Sequence, residues 1–389
     1  MHVKRIKIMH LITGLGVGGA EAMLIKLLSN MDRGRYENVV VSMTGLGTTG
    51  LQIRDLGFSV YSLEMKRGIP SPRGILELYQ LIRHEKPSIL HTWMYHANLL
   101  GWIVAKISFK LPIIWGIRCS VKNYRDYSLL TLITAKIGAI LSCWTDIILI
   151  NSHIGYKKHI EIGYSKKRMK IIPNGFDPDA LPSGENFREK LRMDLGLPLK
   201  TILIGMVARY HREKGHLNFL KAAVHLAATD LKAAFVMVGK DVDENNKLFS
   251  SFIKEYNLSG RIFLLGERDD IPAIYAGLDI ATSASHGEGF PNVVGEAMAA
   301  GIPCVVTDAG DSAKIVGETG FVVPVNDPIA LSSAWRKLIE MGEGRRIKLG
   351  KAARKRIEDN YSIKKITNDF EDIYMEVVNG KCKEEQDYI

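Results

Sequence analysis

Two glutamates stand eight positions apart around the predicted start of a helix, Glu288 just before it and Glu296 one turn inside it. Pro291 suits the first turn of that helix, and Gly301 with Pro303 suits its end. Carboxylates placed in this way can accept hydrogen bonds from sugar hydroxyls, Glu296 from a ribose diol and Glu288 from a second sugar. Alternatively, both acids only stabilise the positive end of the helix dipole.

The first turn of the same helix supplies backbone donors. We expect the N–H groups of Asn292, Val293 and Val294 to be unpaired and to point to the loop that carries Glu288. Free N–H groups and the positive end of the helix dipole together favour an anion such as a phosphate. The segment therefore places backbone donors next to two carboxylates that can bind sugar hydroxyls.

Two permanent cations, Arg209 and Lys214, follow the predicted strand Thr201–Val207 in a loop that glycines flank. An arginine can bind two phosphate oxygens at once, and a lysine acts as a point charge, so the pair suits a diphosphate. A solvated basic loop is the alternative that these two residues alone leave open.

A glycine-rich turn, Gly14 to Gly19, follows the first predicted strand, Ile6–Ile12, and opens a helix. Glycines let a ligand approach the backbone, and Gly14, Gly16 and Gly19 have the spacing of a dinucleotide-binding loop. The second strand, Val39–Met43, carries no acid at its end to bind a ribose, which counts against a nicotinamide-dependent oxidoreductase. A tight turn without a ligand remains the alternative.

Short apolar runs alternate with helix-length segments along the chain, which predicts parallel strands buried on both faces and connected by helices. A turn-rich stretch near residue 173 divides the pattern. We therefore expect an N-terminal α/β domain at 1–173, a second one at 174–360 and a helical segment at 361–389. The predicted strands are Ile6–Ile12, Val39–Met43, Ser88–Thr92, Ile113–Ile117, Ile147–Asn151, Thr201–Val207, Ala233–Val238, Ile262–Leu265, Ile280–Ala284 and Cys304–Thr307.

Charge separates the two halves of the chain. Of its 389 residues 46% are hydrophobic and 24% charged, which excludes a disordered, collagenous or coiled-coil protein. The net charge is +10; residues 1–180 hold 24 Lys and Arg against 12 Asp and Glu, and the rest holds 28 against 30. This N-terminal excess favours an anionic membrane surface as a partner. Nucleic acid is not expected, because no nucleic-acid-binding module is present.

The most apolar segment, Leu129–Trp144, is interrupted by Lys136 and is too short to span a bilayer. We interpret it as a buried helix rather than an interfacial one. The four cysteines show no metal-binding spacing and are too few for a disulfide framework. We therefore expect a cytoplasmic protein that is at most peripheral on the inner face of the cytoplasmic membrane.

Taken together, these motifs resemble the retaining glycosyltransferases of family 4, which have the GT-B fold. The glutamate pair has the spacing of that family, and Glu288–Asp308 is similar to it almost throughout. The resemblance extends from about residue 6 to residue 378 and is strongest in the C-terminal half. Further matching segments are the Gly18–Glu21 turn, the Ile172–Asp177 linker, Arg209 with Lys214 and Gly215, Gly266 with Asp270, and Gly320–Pro324.

The resemblance implies an α/β protein of two Rossmann-like, doubly wound parallel-sheet domains with a donor-binding cleft between them. It implies a catalytic set in which Arg209 and Lys214 neutralise a leaving diphosphate and Glu288 holds the donor sugar. It also implies a last helix that crosses back onto the first domain, no cofactor, and no obligatory metal at Asp241 and Asp243. The residues expected to bind the donor are Gly18, Gly19, Phe290, Asn292, Val293, Val294 and Glu296.

One position departs from the family pattern. Where many relatives carry a histidine after the fourth strand of the first domain, this chain has Arg118. An arginine cannot act as a general base, but it can bind a sugar or a phosphate. Arg118 and His91 are candidates for lining the cleft, as is His96, although a buried structural histidine is the more frequent case.

The resemblance implies a hexosyltransferase-type reaction, with transfer of a sugar from a nucleoside-diphosphate sugar, above all a UDP-sugar, and retention at the anomeric carbon. The expected acceptor is a glycan or lipid-linked glycan of cell-envelope polysaccharide biosynthesis, such as lipopolysaccharide or capsule. A nucleotide-sugar epimerase of similar fold, an NAD-dependent oxidoreductase using the Gly14–Gly19 turn, and a non-catalytic binding subunit are the alternatives. The last is disfavoured because both cations and both glutamates are present.

Overall fold

The computed structural model describes residues 5–66, 71–118, 129–182, 185–229 and 231–380. It divides into two compact units: an N-terminal unit of Met1–Gly175 and Ile363–Ile389, and a C-terminal unit of Phe176–Ser362. The chain leaves the N-terminal unit two residues after the predicted junction at 173, and it returns two residues after the predicted end of the second domain at 360.

The sheet of the N-terminal unit has seven parallel strands, and the predicted strands of this half are confirmed. They are β1 (Ile6–Ile12), β2 (Tyr36–Ser42), β3 (Ser59–Ser62), β4 (Ile89–Trp93), β5 (Ile113–Ile117), β6 (Ile147–Ile150) and β7 (Met169–Ile171). Their order is β3-β2-β1-β4-β5-β6-β7. Sequence reasoning missed β3 and β7, because these two edge strands are too short to give a clear apolar run.

The sheet of the C-terminal unit has six parallel strands, of which sequence reasoning missed only the edge strand β13. The strands are β8 (Ile202–Val207), β9 (Ala233–Val238), β10 (Ile262–Leu264), β11 (Ile280–Ser283), β12 (Cys304–Thr307) and β13 (Gly320–Val323). Their order is β10-β9-β8-β11-β12-β13. The two sheets confirm the expected α/β class with two doubly wound domains.

Helices connect the strands in both units. In the N-terminal unit they are α1 (Gly19–Asn30), α2 (Gly47–Asp55), α3 (Pro72–Glu85), α4 (Tyr95–Val104), α5 (Leu129–Leu141) and α6 (His153–Ile162). In the C-terminal unit they are α7 (Glu185–Asp194), α8 (His216–Ala227), α9 (Lys247–Glu255), α10 (Ile271–Gly277), α11 (Asn292–Ala299), α12 (Ser312–Val316), α13 (Pro328–Glu340) and α14 (Glu343–Tyr361).

The last helix, α15 (Ile363–Val378), belongs to the N-terminal unit and packs on α1. Its apolar positions recur at helical spacing, and Ile366, Phe370 and Tyr374 are among its buried residues. Burial of this stripe joins the end of the chain to the core of the first sheet.

Strand order reverses beside the first strand of each sheet, between β1 and β4 and between β8 and β11. At such a point the connections leave in opposite directions, and a crevice opens outside the carboxyl ends of the strands. The Gly14–Gly19 turn follows β1, and the loop with Arg209 and Lys214 follows β8. Topology therefore places both predicted phosphate-binding loops where ligands bind in this class of fold.

Helix α5 is not the buried helix that its composition predicts. Its buried residues are small, namely Thr134, Ala135, Gly138 and Ala139. Large apolar side chains on its other positions are exposed, Leu129 by 73% and Ile140 by 68%. The expectation of a buried helix at Leu129–Trp144 is wrong, because the fully buried face consists of small residues while several large apolar side chains are exposed. Among the described residues, no helix has both the length and the hydropathy of a membrane span.

Candidate functional site

Lys214 and Glu288 form an ion pair at the carboxyl ends of β8 and β11. The Lys214 Nζ atom lies 2.6 Å from Glu288 Oε1, which also accepts a hydrogen bond of 2.7 Å from the Ser285 hydroxyl. The two residues are 74 positions apart in the sequence, and they meet because β8 and β11 are neighbours in the sheet. The structure thus joins a predicted cation and a predicted acid into one polar site.

Gly215 lets the loop after β8 come this close to the loop after β11. Its φ is +72°, and a Cβ atom there would lie 1.9 Å from the carbonyl oxygen of Ala284. The His286 N–H also donates a 2.7 Å hydrogen bond to the carbonyl of Glu213. A side chain at position 215 would therefore separate the loops that carry Lys214 and Glu288.

Arg209 lies two residues beyond the end of β8, and its side chain is exposed. Within the described ranges, no hydrogen bond or ion pair involves its guanidinium group. Lys214 has a carboxylate partner, so the two predicted cations differ: one is held by the protein, and the other is available to a ligand.

His216 supports the Arg209 loop, and sequence reasoning did not single it out. Its Nε2 donates to the carbonyl of Ala208 over 3.2 Å, and its ring contacts those of Tyr210 and Phe249. Burial lowers the pKa of His216 to about 4. Its position directly after the Lys214-Gly215 pair was the available signal.

Helix α11 starts directly after the Glu288 loop. Pro291 precedes it without a side-chain hydrogen bond to the first turn. The prediction of unpaired N–H groups is wrong at Val294, whose N–H donates to the carbonyl of Pro291 over 3.1 Å. Asn292 and Val293 keep the predicted place in the first turn, with partly exposed side chains.

Two residues expected to bind the donor have side chains in the core instead. Phe290 is 9% exposed, and its ring packs on Phe176 at 6.1 Å and on Tyr361 at 6.0 Å between centroids. Val294 is 2% exposed. Because both side chains face the interior, only the backbone of these two residues can contribute to a binding surface.

Glu296 lies one turn into α11 and is partly buried. The pKa of Tyr275 is raised well above its ordinary value by burial first and by the Glu296 carboxylate second. The Tyr275 hydroxyl donates to the carbonyl of Val293 over 3.1 Å, so this tyrosine links α10 to the first turn of α11.

The Gly18 and Gly19 turn lies in the N-terminal unit, at the carboxyl end of β1. Gly18 is the residue before α1, and both glycines are exposed. A Cβ atom at Gly18 would lie 2.5 Å from Oε2 of Glu21. Burial raises the pKa of that carboxyl group. The turn is open on its outer side, as a phosphate-binding loop requires.

His91 is a buried structural histidine of the core, the more frequent of the two cases considered for it, and it does not lie on an open surface. It is fully buried on β4, its Nδ1 lies 2.8 Å from the Tyr374 hydroxyl, and its ring stacks on Trp93 at 4.6 Å. Burial lowers its pKa well below the ordinary range. The imidazole therefore ties α15 to the sheet.

Arg118 is partly buried, and its guanidinium lies over aromatic rings. The Cζ atom is 4.8 Å from the ring centroid of Trp93 and 5.6 Å from that of Phe370, and Nη1 donates to Asn174 Oδ1. Burial lowers the pKa of Arg118 to about 9. Aromatic faces and an amide occupy this cation, so a role toward a ligand stays a prediction.

Asp241 and Asp243 lie in a turn within the part of the chain that the structure describes. No group of three His, Cys, Asp or Glu side chains there has the arrangement of a metal site. Asp243 Oδ1 accepts a hydrogen bond from the Asn245 N–H, and the Asn246 amide donates to the carbonyl of Asp241, both over 2.9 Å. These residues build a turn, and independence from metal stays a prediction.

Two family models match the chain in succession. The family described as Glycosyltransferase Family 4 matches residues 17–180, and the family described as Glycosyl transferases group 1 matches residues 187–356. Together they cover most of both units and include the Gly18-Gly19 turn, both cations and both glutamates.

Individual relatives agree with the family models. The UDP-Gal:α-D-GlcNAc-diphosphoundecaprenol α-1,3-galactosyltransferase of Escherichia coli is 26% identical over 80% of this chain and 81% of its own length. CapM of Staphylococcus aureus, a capsular polysaccharide biosynthesis glycosyltransferase, is 27% identical over 80% of this chain and 83% of its own.

Solved structures establish the fold. Anabaena HepE in complex with UDP has a TM-score of 0.83 at 21% identity and covers 95% of this chain and all of its own. Sucrose-phosphate synthase from Thermosynechococcus elongatus has a TM-score of 0.78 at 18% identity, with 97% and 100% covered. With both family models matched in order, the chain belongs to glycosyltransferase family 4 and is a glycosyltransferase with the GT-B fold.

Proposed function

We propose that the protein transfers a hexose from a UDP-sugar to a lipid-linked glycan of cell-envelope polysaccharide synthesis, with retention at the anomeric carbon. The observation that carries the proposal is the polar site at the carboxyl edge of the C-terminal sheet, where Lys214 pairs with Glu288 while Arg209 is exposed. Two cations beside one carboxylate suit a diphosphate attached to a sugar.

The donor and acceptor classes follow from relatives. The Escherichia coli relative uses UDP-Gal and acts on a sugar attached to diphosphoundecaprenol. Anabaena HepE has been solved with UDP and with UDP-glucose. A UDP-sugar and a polyprenyl diphosphate-linked sugar are therefore the first donor and acceptor to test.

The reaction breaks the bond between the anomeric carbon and the donor diphosphate, so negative charge grows on the leaving oxygen. Arg209 and Lys214 would stabilise that charge, since fixed cations cost no reorganisation at the moment of reaction. Glu288 would accept hydrogen bonds from the donor sugar and hold its anomeric carbon in place. In a retaining transfer without a covalent intermediate, the acceptor oxygen forms its bond to the anomeric carbon on the face from which the diphosphate leaves, and the acceptor proton passes to the leaving oxygen.

A membrane-surface location fits the charge distribution. The first 180 residues hold 24 basic and 12 acidic residues, a net charge of +12. Each basic residue near an anionic surface contributes ~1 kcal/mol of attraction. We expect the protein to sediment with vesicles that contain phosphatidylglycerol and to be released as salt rises. Equal binding to neutral vesicles would contradict this location.

The direct test of the enzyme is acceptor-dependent release of UDP by the Arg209→Ala variant. Loss of one preorganised donor to a developing negative charge lowers kcat by roughly 10²–10³-fold. The melting temperature should not change, because Arg209 has no partner among the described residues. Arg212→Ala, which removes another exposed arginine of the same loop, is the matched control and should keep full turnover. Wild-type kcat in Arg209→Ala would refute the assignment.

A further inference from the structure

The N-terminal unit has an apolar cavity of about 190 Å³ at the carboxyl edge of its sheet. Helices α3, α4 and α5 and the ends of β1 and β2 contribute to its walls. The inner wall is buried and includes Met43, Met65 and Leu100. Among the described residues that line it, only Lys66 carries a permanent charge.

The outer wall of the cavity is the exposed apolar side of α5. Leu130, Ile133 and Ile137 line the cavity and are 43%, 45% and 39% exposed. The same side continues away from the cavity to Ile140 and to Trp144, which is 59% exposed. Spacings of three and four residues place the side chains from Leu130 to Ile140 in one stripe along α5, and Trp144 lies in the turn that follows the helix. Cavity and stripe thus form one continuous apolar surface.

The position of the cavity ties it to the predicted reaction. Thr13 and Thr44, which follow β1 and β2, line it, and Thr13 directly precedes the Gly14–Gly19 turn. The Thr13 hydroxyl is buried, and within the described ranges it has no hydrogen-bond partner. The Thr13 hydroxyl, the Lys66 ammonium and the imidazole of His96, which also lines the cavity, are polar groups that an anionic headgroup beside the cavity would use.

We propose that this cavity holds the hydrocarbon chain of the lipid-linked acceptor next to its diphosphate, an inference that rests on the proposed function. An apolar cavity of roughly 150 Å³ accommodates a benzene molecule, so 190 Å³ has room for one five-carbon isoprenoid unit. The following units lie along the α5 stripe toward Trp144, and the diphosphate meets Thr13 and Lys66. A tryptophan at the end of such a stripe is typical of a membrane–water interface.

A binding experiment without turnover tests the cavity. Farnesyl diphosphate, below its micelle-forming concentration, is titrated into the full-length protein with UDP held at saturation, and inorganic diphosphate is titrated in parallel. The test variant combines Leu130→Gln, Ile133→Gln and Ile137→Gln, all at exposed positions of α5 that line the cavity. Ile140→Gln is the matched control, because Ile140 belongs to the stripe and does not line the cavity.

The cavity predicts a specific order of affinities. Wild type should bind farnesyl diphosphate more tightly than inorganic diphosphate, and the triple variant should lose at least about tenfold of that affinity because polar groups replace the apolar wall. Ile140→Gln should lose less affinity than the triple variant, because it leaves the wall around the first isoprenoid unit intact, and inorganic diphosphate should bind all variants alike. Equal losses in the triple variant and in Ile140→Gln would overturn the proposal, since they would indicate contact with the stripe alone.

UDP binding, followed by thermal shift, separates this proposal from the proposed function. Protein that binds UDP but shows no preference for farnesyl over inorganic diphosphate overturns the chain site and leaves the donor assignment intact. Protein that fails to stabilise with UDP but keeps the farnesyl preference contradicts the donor and supports the chain site. UDP stabilisation of the triple variant equal to that of wild type shows that its fold is preserved.

Discussion

The two edges of the C-terminal sheet each carry ion pairs, and the pairs differ in what surrounds them. At the amino edge, Asp279 pairs with Arg192 and, at 2.5 Å, with Arg188. Its Oδ2 atom also accepts a 2.8 Å hydrogen bond from the Leu203 N–H, and Arg192 donates to the carbonyl of Thr201 over 3.0 Å. At the carboxyl edge, the side chain of Lys214 is 25% exposed beside Glu288.

The two edges differ in how fully the protein itself surrounds and pairs their charged groups. The side chains of Asp279 and Arg192 are only 3% and 1% exposed, and chain groups surround them. At the carboxyl edge Arg209 has no partner among the described residues. Charges that the chain itself satisfies hold β8 and β11 in register, whereas cations that it leaves accessible are suited to a ligand.

The largest effect on stability should come from the amino edge. Asp279→Asn removes the carboxylate and leaves the buried Arg192 without its opposite charge, which typically costs ~3–5 kcal/mol. Urea unfolding measures the change in the free energy of unfolding. Glu340→Gln, which breaks an exposed pair with Arg336 on α13, is the control and should cost less than ~1 kcal/mol. Similar losses of stability in the two variants would show that the buried ion pair at the amino edge stabilises the fold no more than an exposed pair does.

At the carboxyl edge, a substitution should affect turnover more than stability. Lys214→Ala should lower kcat by roughly 10²–10³-fold, because the leaving diphosphate loses a cation. Its effect on stability should stay within ~1 kcal/mol, as for other partly exposed ion pairs. Steady-state kinetics and a melting curve measure both, with Lys221→Ala on the exposed face of α8 as control. A Lys214 variant as unstable as Asp279→Asn would make this pair structural as well.

The sequence alone predicts the separate residues of the carboxyl-edge site, but it does not predict their ion pair or the ion pairs at the amino edge. Each predicted strand has a continuous apolar run, which both faces of a buried parallel strand demand. Lys214 and Glu288 were predicted separately, because their contact depends on the order of strands in the sheet. The Asp279 network was not recognised, since nothing in an isolated Asp or Arg shows that the chain will surround it.

The wrong predictions have one physical cause. A local motif records composition, but the direction of a side chain depends on packing. Phe290 lies between the partly exposed site residues Glu288 and Asn292. Its side chain still points to the core, where it packs on Phe176 and Tyr361. The apolar composition of α5 gave no indication that its small residues, rather than its large ones, face the unit. Hydropathy alone cannot assign a face to a helix that is apolar all round.

Glycine-to-alanine substitutions test whether the close approach of the loops after β8 and β11 matters at the carboxyl edge. Gly215→Ala should cost more than the ~1–2 kcal/mol of a left-handed residue, because the new methyl would meet the carbonyl of Ala284. It should also lower kcat by displacing Lys214 from Glu288. Gly196→Ala has a similar φ of +65° but open space around it, so only the backbone cost should appear. Equal effects of the two variants would show that the close approach has no role.

The last contrast concerns how the stability of the carboxyl edge depends on pH. Burial holds the pKa of His216 at about 4, while an unfolded histidine titrates near 6.5. Between these values the unfolded chain binds a proton that the folded chain does not, so stability falls as the pH decreases through the window. The contribution of His216 to this loss should approach about 1.4 kcal/mol per pH unit. His216→Gln should reduce this slope, and His225→Gln, at an exposed position of the same helix, should keep it. His216 stays neutral in the folded protein down to a pH of about 4, so its hydrogen bond to the carbonyl of Ala208 persists through the window, and kcat should not follow the loss of stability there. An unchanged slope in His216→Gln would exclude this histidine as the cause.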